Sequence, residues 1–489
     1  MQVKWMRGLA CLLFCILLSV CLGACSCRPQ PKEEKSDVDK VLTTDVLVVG
    51  AGGTGLAAAA VASNNGADVI ILEKLAFVGG STMLSGGGIS APNTKFQRAE
   101  GIEDSKESWM ELWKERQATS NPEGMYPDYE FVGLFMDEAV ITTEWLADEI
   151  GLKYASIEGF GLDPVRRIHF PENGGRGIVQ RLEEYVRGKG VEILTETPAK
   201  KLVIDNKGGV TGVIAEGKDG EVAIEAKKVI LATGGFARNE GLLERFVPEA
   251  AGTAELTMAG AGSTGEGILM AEDIDAEPYE EPWIMGVGIA TKIKDTAMLG
   301  MDWSKLYVNG EGERFANEQM HYAIATNKFL EEDVVYIVLD SKEANADVIA
   351  ALTEAMPSAE VVVGDTFAEL AEGMDVPVDI FTATMEEYNE GARTGNDALG
   401  KEAEYVIAVD ESPYYAVRAY PQTMGTFGGV KTDENFRVLR KDGSVIDNLY
   451  AGGECANKVI FNRVYMSGSS VQFALTSGRL AGEHAAQNL

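Results

Sequence analysis

The residues best suited to chemistry in this chain are four glycines and one acid near its start. Gly50, Gly52, Gly53 and Gly55, in the run Gly-Ala-Gly-Gly-Thr-Gly, follow the apolar stretch DVLVVG and open the small-residue stretch GLAAAAVASNNG. Glu73 closes a second apolar stretch, DVIILEK. Glycines at a strand-to-helix turn let backbone amides approach an anion at the positive end of the helix. A carboxylate at the end of the next strand accepts a hydrogen bond from a ribose hydroxyl. With both strands, the helix and the acid in order, the pattern predicts a dinucleotide site.

The fingerprint by itself does not separate FAD from a nicotinamide cofactor. Gly79-Gly80-Ser81-Thr82 and Ser85-Gly86-Gly87-Gly88 leave two stretches of backbone almost bare, and Ala232-Thr233-Gly234-Gly235 is a second strand-to-glycine turn. Bare backbone suits a chain lying against a large flat ring, which favours FAD, held non-covalently.

These residues must be carried by a parallel strand, helix, strand unit over residues 43–73. Short β-rich runs between residues 191 and 235, broken by Asn-Lys-Gly-Gly and Lys-Asp-Gly turns, predict a β-meander returning to the same sheet. From about Glu272 to Lys401 the texture becomes helices and short strands with many acids, and LYAGGE then restores the buried-strand-then-turn pattern. The fold class expected is α/β: a Rossmann-like FAD-binding domain, parallel sheet plus β-meander, with an inserted α+β capping domain. The expected divisions are 1–24 signal peptide, 25–41 tether, 42–271 and 401–489 the two parts of the FAD-binding domain, and 272–400 the cap.

An apolar fraction of 45% with 24% charged residues reads as globular, and a net charge of −33 argues against nucleic acid or an anionic membrane surface as partner. Cys11, Cys15, Cys21, Cys25 and Cys27 crowd the N-terminus and leave Cys455 alone in the body. No disulfide framework follows, and no haem-attachment, iron–sulfur or zinc spacing occurs, so no metal site is expected. Electrons must then arrive from an external donor: a cytochrome, a quinol-linked carrier or a flavin carrier. Lys4 and Arg7 followed by LACLLFCILLSVCLGA form a secretory n-region and h-region. Leu22-Gly23-Ala24-Cys25 resembles a bacterial lipoprotein signal, which implies an extracytoplasmic protein touching the membrane only through lipid on Cys25.

GGST with SGGG, ILATGGF, GSTGEGILMA, VNGEGERFANE and LYAGGE with GRLAG, in that order, resemble the soluble fumarate reductase and urocanate reductase flavoproteins, and also the 3-ketosteroid dehydrogenases. The resemblance covers nearly all of residues 43–489. It implies that Glu73, Ser81, Thr82, Gly86, Gly87, Glu266, Glu454, Ser470 and Val471 hold FAD. Glu266 stands where the fumarate reductases carry an Asp.

The same resemblance places Tyr322 at the proton-donor position after Arg314-Phe315-Ala316-Asn317-Glu318, where fumarate reductases have an Arg and ketosteroid dehydrogenases a Tyr. Arg463 resembles the substrate-binding arginine of the fumarate reductases, with altered spacing. Tyr465 matches the enolising tyrosine of the ketosteroid enzymes, and His169 lies in a stretch similar to one near the flavin. The dicarboxylate clamp is lost: Val287, Ala297, Met298, Met301 and Met424 or Gly425 occupy its positions. A doubly anionic substrate would find few partners there. Met285, Met298, Met301, Met320, Met424 and Met466, with Trp283 and Trp303, are candidates for an adaptable apolar cavity. His321 is a candidate to tune Tyr322, and His484 is expected at the surface.

The expected activity is hydride transfer from FAD to an α,β-unsaturated carboxylate or ketone, with catalytic roles for Tyr322, Arg463, Tyr465 and His169. A ketosteroid-type dehydrogenase running the reverse reaction, and a surface electron-relay flavoprotein without its own small-molecule substrate, are the alternatives.

Overall fold

A computed structural model describes residues 40–160 and 162–489, the Met298 side chain excepted. The expected signal segment, Cys25 and the tether up to residue 39 lie outside the described residues.

The parallel core of the main sheet runs in the order Val445–Ala451, Gly220–Leu231, Lys40–Val49, Val69–Leu72, Glu192–Leu194. Val49 pairs with both Leu72 and Leu231, Leu231 with Ala451, and Leu72 with Leu194. The strands therefore end level, and the next residues (Gly50, Glu73, Ala232 and Gly452) turn off one edge together. In an open α/β sheet that carboxyl edge is where ligands bind. The meander Ala199–Ile204, Val210–Gly217, Gly220–Leu231 is antiparallel and feeds the long strand back into the parallel core.

The helix Gly53–Asn64 is buried on nearly every side, as its alanines require. It packs against the C-terminal helix Ser469–Gln487, where a Cβ on Gly478 would lie 2.2 Å from the Thr54 carbonyl oxygen and one on Gly482 2.3 Å from that of Ala58. Small residues on both helices thus set how closely the two N-termini approach the same edge.

The cap is built on an antiparallel second sheet, ordered Trp283–Ala290, Tyr414–Phe427, Val335–Leu339, Leu306–Asn309, with Val361–Gly364 also on the second strand. Side-chain alternation splits its strands between two cores. Leu306, Val308, Val338 and Ala416 face the helices Phe367–Met374 and Val378–Thr394. Tyr307, Ile337, Leu339 and Val417 face Phe329 and Leu352 on the other side. The cap sheet runs past the expected limit at residue 400, because its longest strand is Tyr414–Phe427. Among the described residues no helix is long and apolar enough to cross a membrane.

Candidate active site

A cavity of about 600 Å³ opens between the level strand ends and the cap. Gly50, Gly52 and Gly53 line it, with Glu73, Ser81, Thr82, Gly86, Gly87, Thr233, Gly234, Glu266, Glu454, Ser470 and Val471. Gly55 lies behind them. A Cβ on Gly55 would sit 1.9 Å from the Gly50 carbonyl oxygen, so this glycine shapes the turn rather than the cavity.

The lining fits a flat dinucleotide. A Cβ on Gly52, Gly86 or Gly234 would meet no protein atom within 4 Å, so the space ahead of these three is ligand space. Glu73 is buried, its Oε2 accepting from the Ala51 amide at 2.9 Å and its Oε1 from that of Leu75 at 2.8 Å. Two amides thus aim the carboxylate, and its remaining lone pairs are free for hydroxyls. Thr82 Oγ1 accepts from the Gly53 amide at 3.2 Å, stitching the second glycine loop to the first, and Ser81 Oγ accepts from that of Gly260 at 2.9 Å. Ser263 Oγ is buried in the lining with no hydrogen-bond partner, a polar atom the ligand would satisfy. Ser263 lies within the GSTGEGILMA run, from which the sequence singles out only Glu266.

Glu266 turns to Lys74, whose Nζ lies 2.8 Å from its Oε1, and accepts from Thr264 Oγ1 at 2.7 Å. Glu454 is held more tightly. Its Oε2 accepts from the Thr426 amide at 3.0 Å, and a Cβ on Gly235 would fall 2.4 Å from the same oxygen. Burial pushes this carboxyl up from 4.5 to about 7. The folded protein therefore holds a proton that the unfolded chain releases, so the stability gained is full below pH 4.5 and is lost as pH rises through about 7. Apoprotein stability should show a fall on the order of 3 kcal/mol across that window that Glu454→Gln removes. Urea unfolding of both proteins at pH 5 and pH 8 measures it, and parallel losses would refute the assignment.

The two tyrosines meet at the cap side of the cavity. Tyr322 opens the helix Tyr322–Leu330 and Tyr465 lies just before the C-terminal helix; both line the cavity, with ring centroids 6.2 Å apart. Tyr465 Oη accepts from the Gly468 amide at 2.9 Å, which leaves its own proton to donate. Tyr322 Oη lies 2.7 Å from Ser467 Oγ. Burial pushes the Tyr322 phenol well above its usual value and that of Tyr465 up to about 12, so both stay protonated.

Two expected catalytic residues stand elsewhere. Arg463 does not line the cavity: its guanidinium lies over the Trp283 ring, 3.8 Å from the centroid, a cation–π contact that turns it away from the cavity. His169 is fully buried in the small sheet that joins Ile89–Ser90 to Ile168–Pro171. Its Nε2 is 2.7 Å from Thr94 Oγ1 and its Nδ1 3.1 Å from the Arg167 carbonyl oxygen, and burial lowers it to about 4. It is a satisfied, neutral core histidine. His484 is half-buried beside Tyr450, with Nδ1 2.9 Å from the hydroxyl.

Met285, Val287, Met301 and Met424 line the cap side of the cavity. Met320, Trp303, His321 and Glu318 line a second cavity of about 220 Å³ on the other side of Tyr322. Trp283 and Met466 belong to the core.

The chain matches the family described as FAD binding domain over residues 45–471. Urocanate reductase of Eggerthella lenta is 32% identical over 464 residues, 91% of this chain and 75% of that protein. This chain is an FAD-dependent oxidoreductase of the fumarate reductase and urocanate reductase family. Fumarate reductase (cytochrome) of Shewanella frigidimarina, another similar protein, is 28% identical over 462 residues, 91% of this chain and 77% of that one. Among solved structures, 3-ketosteroid-Δ4-(5α)-dehydrogenase of Rhodococcus jostii in complex with 4-androstene-3,17-dione matches with TM-score 0.74 and 27% identity, over 94% of this chain and 99% of that one. The family acts on CH–CH groups, and the glycine-lined cavity is where its members' cofactor, FAD, fits this chain.

Proposed function

We propose that this flavoprotein reduces a carbon–carbon double bond conjugated to a ketone or a single carboxylate. The observation that carries the reading is the cap side of the cavity: Tyr322, Tyr465, Met285, Val287, Met301, Met424 and Gln422, with no Arg, Lys or His among the described lining residues there. The lysines that do line the cavity, Lys74 and Lys200, are paired with Glu266 and Glu216. Arg116, outside the lining but within electrostatic reach of Tyr322, offsets one carboxylate at most, so burying two against such a surface would leave charge uncompensated. FAD, when bound, supplies hydride to the β-carbon. Tyr322 delivers its hydroxyl proton to the α-carbon. Tyr465 donates to the carbonyl oxygen and stabilises the enolate-like charge that develops on it.

The likeness to a ketosteroid dehydrogenase supports the reverse reaction as a second reading, although there Tyr322 must act as a phenolate base, which its burial opposes. The electrons come from an external cytochrome, quinol-linked or flavin carrier, and the enzyme works outside the cytoplasm, anchored by lipid on Cys25.

Anaerobic stopped-flow mixing of the reduced holoenzyme with cinnamate, cyclohexenone and fumarate tests the reading. Reoxidation by cinnamate or cyclohexenone should outrun that by fumarate. Fastest reoxidation by fumarate would sink the substrate class, and flavin bleaching by saturated ketones with no reaction of either conjugated acceptor would reverse the direction. Reduction by a carrier protein with no reaction of any small molecule would leave only electron relay.

A further inference from the structure

His321 caps the helix that begins at Tyr322, its Nδ1 accepting from the Ala323 amide at 3.2 Å. To accept that bond Nδ1 must keep its lone pair, so the neutral ring carries its proton on Nε2. Burial, with the Arg116 charge nearby, holds the ring neutral by lowering it to about 3. Nε2 lies 3.4 Å from Ser467 Oγ and therefore donates to it.

A serine hydroxyl has one proton to give. With His321 as the donor, Ser467 cannot give this proton to the ring, and the oxygen within reach that can take it is Tyr322 Oη at 2.7 Å. When Tyr322 is the acceptor of this bond, its own O–H turns to the cavity that it and Ser467 both line. The imidazole is held against the phenol ring, centroids 4.1 Å apart, which keeps the chain of bonds in register.

We propose that His321 is a positioning residue whose fixed tautomer orients the Ser467 hydroxyl, so that Tyr322 presents its O–H rather than its lone pair to the substrate. The inference rests on Tyr322 being the proton donor. When the phenol gives up its proton, the Ser467 bond remains and stabilises the oxygen left behind, so no group has to reorient during the step.

The cap and the donor functions of His321 can be separated. Asn at this position keeps an acceptor for the Ala323 amide but cannot reach Ser467, whereas Gln carries an N–H close to the position of Nε2 and is a poor cap. The holoenzymes of His321→Asn, His321→Gln, Ser467→Ala and Tyr322→Phe are compared with whichever of cinnamate and cyclohexenone the wild type reduces faster. His321→Asn and Ser467→Ala should lower kcat roughly 10-fold with KM near wild type and an increased solvent deuterium effect. His321→Gln should recover most of kcat while melting at a lower temperature than His321→Asn. Wild-type kcat in both His321→Asn and Ser467→Ala, with Tyr322→Phe inactive, would overturn the positioning role and leave the proton donor standing. An active Tyr322→Phe would overturn both. Should His321→Asn fail to fold, Ser467→Ala cuts the same link without touching the cap and decides alone.

Discussion

Replacing Tyr322 by Phe is expected to lower turnover by roughly 10²–10⁴-fold, the range a positioned general acid contributes, while FAD stays bound. The change removes one oxygen and keeps a ring packed among His321, Phe160 and Tyr465, with centroids at 4.1, 5.7 and 6.2 Å. Ser467 loses the partner of its 2.7 Å bond, which costs about 1 kcal/mol of stability and leaves the fold intact. None of the amides that aim Glu73 or Glu454 depends on this hydroxyl, so flavin content should match the wild type. Because burial keeps the phenol protonated, the loss should be felt across the whole working pH range rather than at one limb of it. Microscopic reversibility makes the forward and reverse reactions fall together, so the variant identifies the residue and the acceptor panel identifies the direction. The check is single-turnover reoxidation of the reduced variant beside its flavin absorbance. Turnover equal to wild type would remove Tyr322 from the chemistry and make Tyr465 the group to test.

What the sequence made legible follows the range of the interactions involved. The glycine turn, Glu73 and the Gly453-Glu454 turn are local: a buried strand, a turn and a helix within a few residues, each with its own hydrophobic period, and the parallel register then brings them level. Arg463 could not be read this way. The group that claims it, Trp283, lies on a cap strand far along the chain, and only folding sets the ring beneath the guanidinium. His169 looked available because nothing in RRIHFPENGG discloses that Thr94 and the Arg167 carbonyl satisfy both ring nitrogens. Ser467 was passed over within YMSGSS although it meets Tyr322 across 145 positions. The cap's end was set early because the strand Tyr414–Phe427 contains Pro421 and Gly425, which weaken a strand pattern in isolation. In the structure Gly425 is needed there, since a Cβ on it would lie 2.9 Å from the Glu454 carboxylate.

Gly52→Val should weaken flavin binding without unfolding the apoprotein, and the contrast with its neighbours is what makes the result informative. Gly50 has φ +107°, a conformation L side chains rarely adopt, and a Cβ there would sit 2.3 Å from the Ala232 carbonyl oxygen; on Gly55 it would sit 1.9 Å from that of Gly50. Side chains at either position collide with backbone that cannot yield, so Gly55→Val should not fold. Gly52 has φ −79° and ψ −173°, extended backbone open to any residue, and a Cβ there meets nothing within 4 Å. A valine at this position costs the apoprotein little and projects into the cavity that the dinucleotide would fill. Overpacking of ~1–3 kcal/mol weakens binding by roughly 10- to 100-fold, and by more where the ligand lies flat against the loop. Flavin absorbance of the purified variant, with a thermal melt of both apoproteins, measures the two effects separately. A Gly52→Val protein that retains its flavin would mean that the fingerprint turn serves the fold alone and that the cofactor is held elsewhere in the cavity.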